Sequence, residues 1–131
     1  MDESRLVAAA VEARRRAYAP YSGFPVGAAL LSKGGRLFTG CNVENASYGL
    51  TVCAERVALF KAVSEGVREF EAIAVACGDG LCSPCGACRQ ALYEFAPDLK
   101  VILADAEGRS WEVTSLPELL PRAFGPSDLE G

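Results

Sequence analysis

The sequence predicts an α/β fold: a three-layer α/β/α sandwich built on a mixed five-stranded sheet. Three observations lead there. Segments with helical spacing alternate with short apolar runs along the chain. Two of those runs, residues 73–77 and 101–104, are apolar throughout, as in strands covered on both faces. A helical segment lies between them, so strand, helix and strand form a parallel pair with a right-handed crossover. At 131 residues the chain has the length of one domain, and residues 1–131 are read as a single domain.

The elements follow in order. Residues 3–18 read as an amphipathic helix, with Leu6, Ala10, Ala13 and Ala17 at helical spacing. Ala19-Pro20 ends it, because a residue before proline avoids the helical region. Residues 21–25 are a loop. Residues 26–32 and 36–43 are strands joined through Lys33-Gly34-Gly35, a hairpin signal. A polar loop over 44–52 leads to a helix over 53–65, with Val57, Phe60 and Ser64 on its buried face and Gly66 as its stop. After the strand at 73–77 and a loop over 78–84, residues 85–96 form a helix with Cys88, Leu92 and Phe95 on one side and Pro97 beyond it. The strand at 101–104 is followed by a turn at 105–108 and a short edge strand at 110–114. Ser115 caps a last helix containing Leu116, Leu119 and Leu120, and a mostly polar tail holds Phe124.

Composition narrows the function. A net charge of −4 and a pI near 4.9 suit neither nucleic acid nor other phosphate polyanions, which need clustered Lys and Arg. The run Arg14-Arg15-Arg16 lies on a predicted helix and reads as a solvated face. Met1-Asp2-Glu3 is acidic where a signal peptide is basic, and no 18-residue stretch is apolar throughout, so a cytoplasmic location with no membrane partner is expected. Six cysteines in such a chain read as thiols or metal ligands rather than disulfides. Histidine is absent, which excludes Ser-His-Asp triads and histidine-bound zinc. Half the residues are hydrophobic, which predicts a dense core or apolar surface covered by a partner.

Two stretches carry the chemistry: Thr51-Val52-Cys53-Ala54-Glu55-Arg56 and Pro84-Cys85-Gly86-Ala87-Cys88-Arg89-Gln90. Cys85 and Cys88 are three apart at a helix start, which puts both sulfurs on one face. Cys53 also opens a predicted helix, and helix N-termini stabilise thiolates. Three protein ligands are the set of a catalytic zinc, with the fourth position left to water. Cys53, Cys85 and Cys88 are therefore the expected ligands of one Zn²⁺ per chain, and Glu55 the expected base. Positions i and i+2 point about 200° apart on a helix, so Cys53 is expected in the non-helical cap and Glu55 in the first turn. Arg56 and Arg89 could donate toward the sulfurs and offset their charge. The alternative is a closed four-cysteine site recruiting Cys82 or Cys77, within a zinc-stabilised interaction domain that does no catalysis. Otherwise Cys41, Cys77 and Cys82 read as small hydrophobes or loop thiols.

Cys53-Ala54-Glu55 with Pro84-Cys85-Gly86-Ala87-Cys88 resembles the zinc-deaminase signature. With the stretches 21–30 and 40–49, and Asn42-Val43-Glu44-Asn45-Ala46-Ser47-Tyr48 above all, the chain resembles the small homotetrameric cytidine deaminases over nearly its whole length. The resemblance implies hydrolysis of cytidine and deoxycytidine in pyrimidine salvage. Glu55 would take a proton from zinc-activated water and deliver protons to ring N3 and the leaving amine. The Ala54 backbone would hold the pyrimidine edge, Phe24 would pack on the ring, and Asn42 and Glu44 would bind the ribose hydroxyls. Tyr48 and Phe124 resemble residues that complete a neighbouring subunit's site in a homotetramer.

Overall fold

The computed structural model describes residues 1–130. Asp2 starts the first helix: its carboxylate accepts from the Arg5 N–H at 2.9 Å and so satisfies one of the helix's unpaired donors. Helix α1 spans Glu3–Arg14 and stops well before the predicted end at 18. Tyr18 has left it to meet the sheet, donating its N–H to the Asn42 carbonyl and accepting from the Glu44 N–H, both at 2.9 Å. A helix continued to 18 would forfeit both bonds.

Strands β1 (Gly27–Ser32) and β2 (Leu37–Cys41) form the expected antiparallel hairpin, with Gly35 at φ +89° in its turn. β2 ends at Cys41 rather than 43, because Val43 pairs with Val52 across the following loop. The rest of the chain supplies α2 (Ala54–Ser64), β3 (Phe70–Ala76), α3 (Gly86–Phe95), β4 (Lys100–Ala104), β5 (Trp111–Ser115) and the single turn α4 (Leu116–Leu119). β3 begins earlier than predicted because Phe70 pairs with Ser32 beyond a register shift. Ser115 stands at the N-cap of α4, but its side chain makes no capping bond.

The strand order is β2-β1-β3-β4-β5, with β3 and β4 parallel and every other pair antiparallel. Alternate residues of the strands point to opposite faces. Leu6, Val7 and Ala10 of α1 cover Ala29, Leu31, Ala72, Ala74 and Ile102 on one face. On the other, α2, α3 and α4 pack through Leu59, Leu92 and Leu116 against Leu30, Ile73, Val75 and Val101. The sandwich therefore has the three layers that the sequence predicts. Among the described residues no helix is long and apolar enough to cross a membrane.

Two expectations are corrected. The buried face of α2 is Ala54, Glu55, Ala58, Leu59 and Ala62, not Val57, Phe60 and Ser64; Phe60 is 52% exposed. The cause is close approach: a Cβ on Gly40 of β2 would lie 2.6 Å from Ala58 N and against Ala54 O, so only a small-residue face fits there. Cys77 and Cys82 are joined as a disulfide instead of remaining thiols. The loop between them folds back to bring their Cα atoms to 6.4 Å, within disulfide reach.

Candidate active site

Cys53 and Cys85 are the N-caps of α2 and α3, both in extended backbone (φ −72°, ψ 155° and φ −67°, ψ 167°). Neither side chain caps its own helix, so both sulfurs are free to face outward from the helix starts. Cys88 lies one turn into α3 and is fully buried. The three Sγ atoms lie within 4.8 Å of one another. Sulfur–zinc bonds of about 2.3 Å around a tetrahedral centre set neighbouring sulfurs roughly 3.8 Å apart. Cys53 and Cys85 meet that spacing, at 3.8 Å. Among the described residues no fourth Cys, His or acidic group joins the cluster. Cys82, the candidate for a closed site, is tied to Cys77. The donor set is thus that of an open zinc centre holding one ion.

The electrostatics follow from the packing. Hydrogen bonding to Cys88 and then the neighbouring Arg56 lower the Cys53 thiol to about 5. Cys88 is pushed up by that same hydrogen bond and by burial. Both sulfurs would have to be deprotonated to hold a zinc ion, so binding one there would release a proton. Arg56 donates from a terminal nitrogen to Cys53 Sγ at 3.4 Å, and Cys53 foremost, then Cys88, holds its guanidinium firmly protonated. Its Nε is buried with no hydrogen-bond partner among the described residues. Arg89 does otherwise than expected. Its Nε donates to the Pro84 carbonyl at 2.7 Å and a terminal nitrogen to the Leu119 carbonyl at 2.6 Å. It braces the backbone beside Cys85 and leaves the sulfurs to Arg56.

Glu55 sits in the first turn of α2, 4% exposed, and burial raises its carboxyl to about 7. It opens on a cavity of about 200 Å³ lined also by Phe24, Asn42, Thr51, Cys53, Ala54 and Cys85. The structure therefore brings the carboxyl, two of the sulfurs and three of the expected substrate-binding residues to one space. Glu44 and Tyr48 lie apart, around an adjoining cavity of about 320 Å³ with Tyr21, Ser22 and Thr51. Thr51 borders both cavities, and the sequence reading gave it no role. Asn42 is engaged by the backbone: its Oδ1 accepts from Val26 N–H at 2.8 Å and its Nδ2 donates to the Phe24 carbonyl at 3.0 Å. Phe124 borders neither cavity and is 59% exposed; its carbonyl accepts from Gln90 Nε2 at 2.8 Å.

Residues 1–104 match the model of the cytidine and deoxycytidylate deaminase zinc-binding region. The chain belongs to that family. A cytidine deaminase of Sporosarcina psychrophila is 51% identical over 131 residues, 98% of this chain and 96% of the relative. One of Halalkalibacterium halodurans is 53% identical over 98% of each chain. The crystal structure of cytidine deaminase from Burkholderia pseudomallei superposes with a TM-score of 0.90 at 54% identity, over 95% of this chain and all of that one. The five-stranded sheet and the cysteine cluster described above are the fold and zinc site of this family member.

Proposed function

We propose that this chain, working as one domain, hydrolyses the exocyclic amine of cytidine and 2′-deoxycytidine, yielding uridine or 2′-deoxyuridine and ammonia for pyrimidine salvage. The observation that carries the reading is Glu55: a buried carboxyl raised to about 7, facing a base-sized cavity beside a three-sulfur cluster. A carboxyl poised near neutrality can both accept and return a proton. Cys53, Cys85 and Cys88 hold the zinc ion, whose chemistry when bound is to make a water acidic near neutral pH. Glu55 takes a proton as water adds to C4 and passes it to ring N3. It then takes the second proton from the new C4 hydroxyl and delivers it to the departing amine, so the C4 carbonyl forms as ammonia leaves. Phe24 packs on the pyrimidine, and the Ala54 backbone holds its edge at the start of α2. Asn42 and Glu44 bind the ribose hydroxyls, an amide and a carboxylate being suited to vicinal alcohols. High identity to enzymes called cytidine deaminases, along nearly the full chain, supports this reading.

The working unit is a homotetramer, with Tyr48 and Phe124 completing a neighbour's site. Support comes from large apolar side chains left open on one chain: Tyr48 is 74% and Phe124 59% exposed, and Leu50, Phe60 and Leu129 are more than half exposed as well. The proposed location is the cytoplasm. The decisive assay follows the absorbance of cytidine and the release of ammonia with zinc-loaded protein. Stoichiometric uridine and ammonia are expected. A protein holding one zinc per chain that turns over neither nucleoside refutes the proposal.

A further inference from the structure

We infer that Ser22 is a positioning residue for nucleoside binding, joining Glu44 and Phe24 into one hydrogen-bonded unit; the inference rests on the deaminase reading above. The loop carrying Phe24 is stitched to the end of β2 at two places. Asn42 holds its far side through Phe24 and Val26. Glu44 holds its near side, with Oε1 accepting from the Tyr21 N–H at 2.9 Å and the Ser22 N–H at 3.1 Å, and Oε2 accepting from the Ser22 hydroxyl. The same hydroxyl accepts from the Phe24 N–H at 3.0 Å. Gly23, at φ +66°, provides the tight turn that lets Ser22 reach both neighbours.

The bookkeeping of lone pairs gives Ser22 its importance. An ionised carboxylate offers about four acceptor positions, and the loop fills three on Glu44. What remains is aimed by those three donors. The Ser22 hydroxyl foremost, with the Ser22 and Tyr21 N–H groups, also holds Glu44 below the usual carboxylate range, so it meets a ligand as an acceptor only. Ser22 and Glu44 border the larger cavity and Phe24 the one with Glu55. One hydroxyl therefore links the group expected on the sugar to the ring expected on the base. Removing it frees Oε2 of Glu44 and the Phe24 amide together, leaving Oε1 on its two N–H donors and touching neither the zinc ligands nor Glu55.

The test compares zinc-loaded parent, Ser22→Ala and Ser22→Thr. Affinities for uridine and for 2′,3′-dideoxyuridine are read by calorimetry, beside kcat and KM for cytidine. Ser22→Ala should weaken uridine binding and raise the cytidine KM about tenfold, as expected for one lost charge-assisted hydrogen bond. Its kcat should change less than about twofold, because the lost contact is equal in ground and transition states. Dideoxyuridine, which has no hydroxyls for Glu44, should lose less than about threefold, and threonine should restore uridine binding because its Oγ makes the same bonds. Unchanged uridine affinity in Ser22→Ala, an equal loss for both ligands, or a parent that binds neither overturns the inference. A parent that binds uridine but does not turn over cytidine fails the deaminase reading instead, and the Ser22 comparison is still read from affinity.

Discussion

Helices α2 and α3 begin in the same way and diverge within one turn. Each has an extended cysteine at its N-cap whose sulfur is not used for capping. Each carries an arginine shortly after, Arg56 or Arg89. In α2 the next residues are a buried carboxyl and an arginine on sulfur. In α3 they are a second sulfur and an arginine on two backbone carbonyls. One helix start supplies proton chemistry and charge balance; the other supplies grip and a rigid base. The same local device, a cysteine cap on a helix dipole, takes on different roles through what lies two to four residues further on.

Removing the second sulfur of α3 should break the grip outright. Cys88→Ala leaves two ligands, and zinc content after dialysis should fall well below one per chain with activity lost; full zinc retention would mean that Cys88 is not a ligand. Taking the metal away tests the α2 side. In zinc-free protein the Glu55 carboxyl is raised from its ordinary 4.5 to about 7. A raised acid favours the folded state in its protonated form, so the stability it contributes is complete below about 4.5 and is lost as pH rises toward about 7. The loss amounts to about 3 kcal/mol over that window, at 1.36 kcal/mol per pKa unit. The Cys53 thiol, lowered from 9.0 to about 5, tilts stability the opposite way over the upper part of that range in both proteins. Denaturant melts should therefore show stability falling more steeply, or rising less, with pH in the parent than in Glu55→Gln; equal slopes would contradict the burial of the charge.

Gly40→Ala pushes a Cβ into Ala54 O and Ala58 N, under the start of α2. Overpacking of this kind costs about 1–3 kcal/mol, and thermal melts should show a lower Tm; an unchanged Tm would mean that α2 can shift freely. The two arginines give the smallest and sharpest contrast. Arg56→Gln should weaken zinc about tenfold or more in competition with a chelator, since it removes a donor from a ligand sulfur. Arg89→Gln should lower fold stability by about 1–3 kcal/mol through two carbonyls left without their donor, with a smaller change in zinc affinity. Equal zinc losses would erase the distinction between the two helix starts.

Much of this site was readable from the chain because its signals are local. Cysteines three apart and a Cys-Ala-Glu run fix which side chains share a helix start, and the i to i+2 argument placed Cys53 in the cap, where it lies. The parallel β3–β4 pair was readable from two uninterrupted apolar runs. What was missed depends on distant partners. Helix α1 ends early because Tyr18 pairs with residues 42 and 44. The exposed Phe60 follows from the close approach of Gly40 to α2. The aim of Arg89 depends on the Leu119 carbonyl, thirty residues away. The Cys77–Cys82 bond depends on a loop that folds back, which spacing alone does not encode. The link from Ser22 to Glu44 joins positions 22 apart with no repeat or period to reveal it.

The most direct test of the division between the helix starts is turnover of cytidine and zinc content measured together in Glu55→Gln. The account predicts one zinc per chain, as in the parent, with the rate reduced by at least the 10²–10⁴-fold typical of lost general acid–base catalysis. A variant that keeps its zinc and deaminates at a near-parental rate would contradict it.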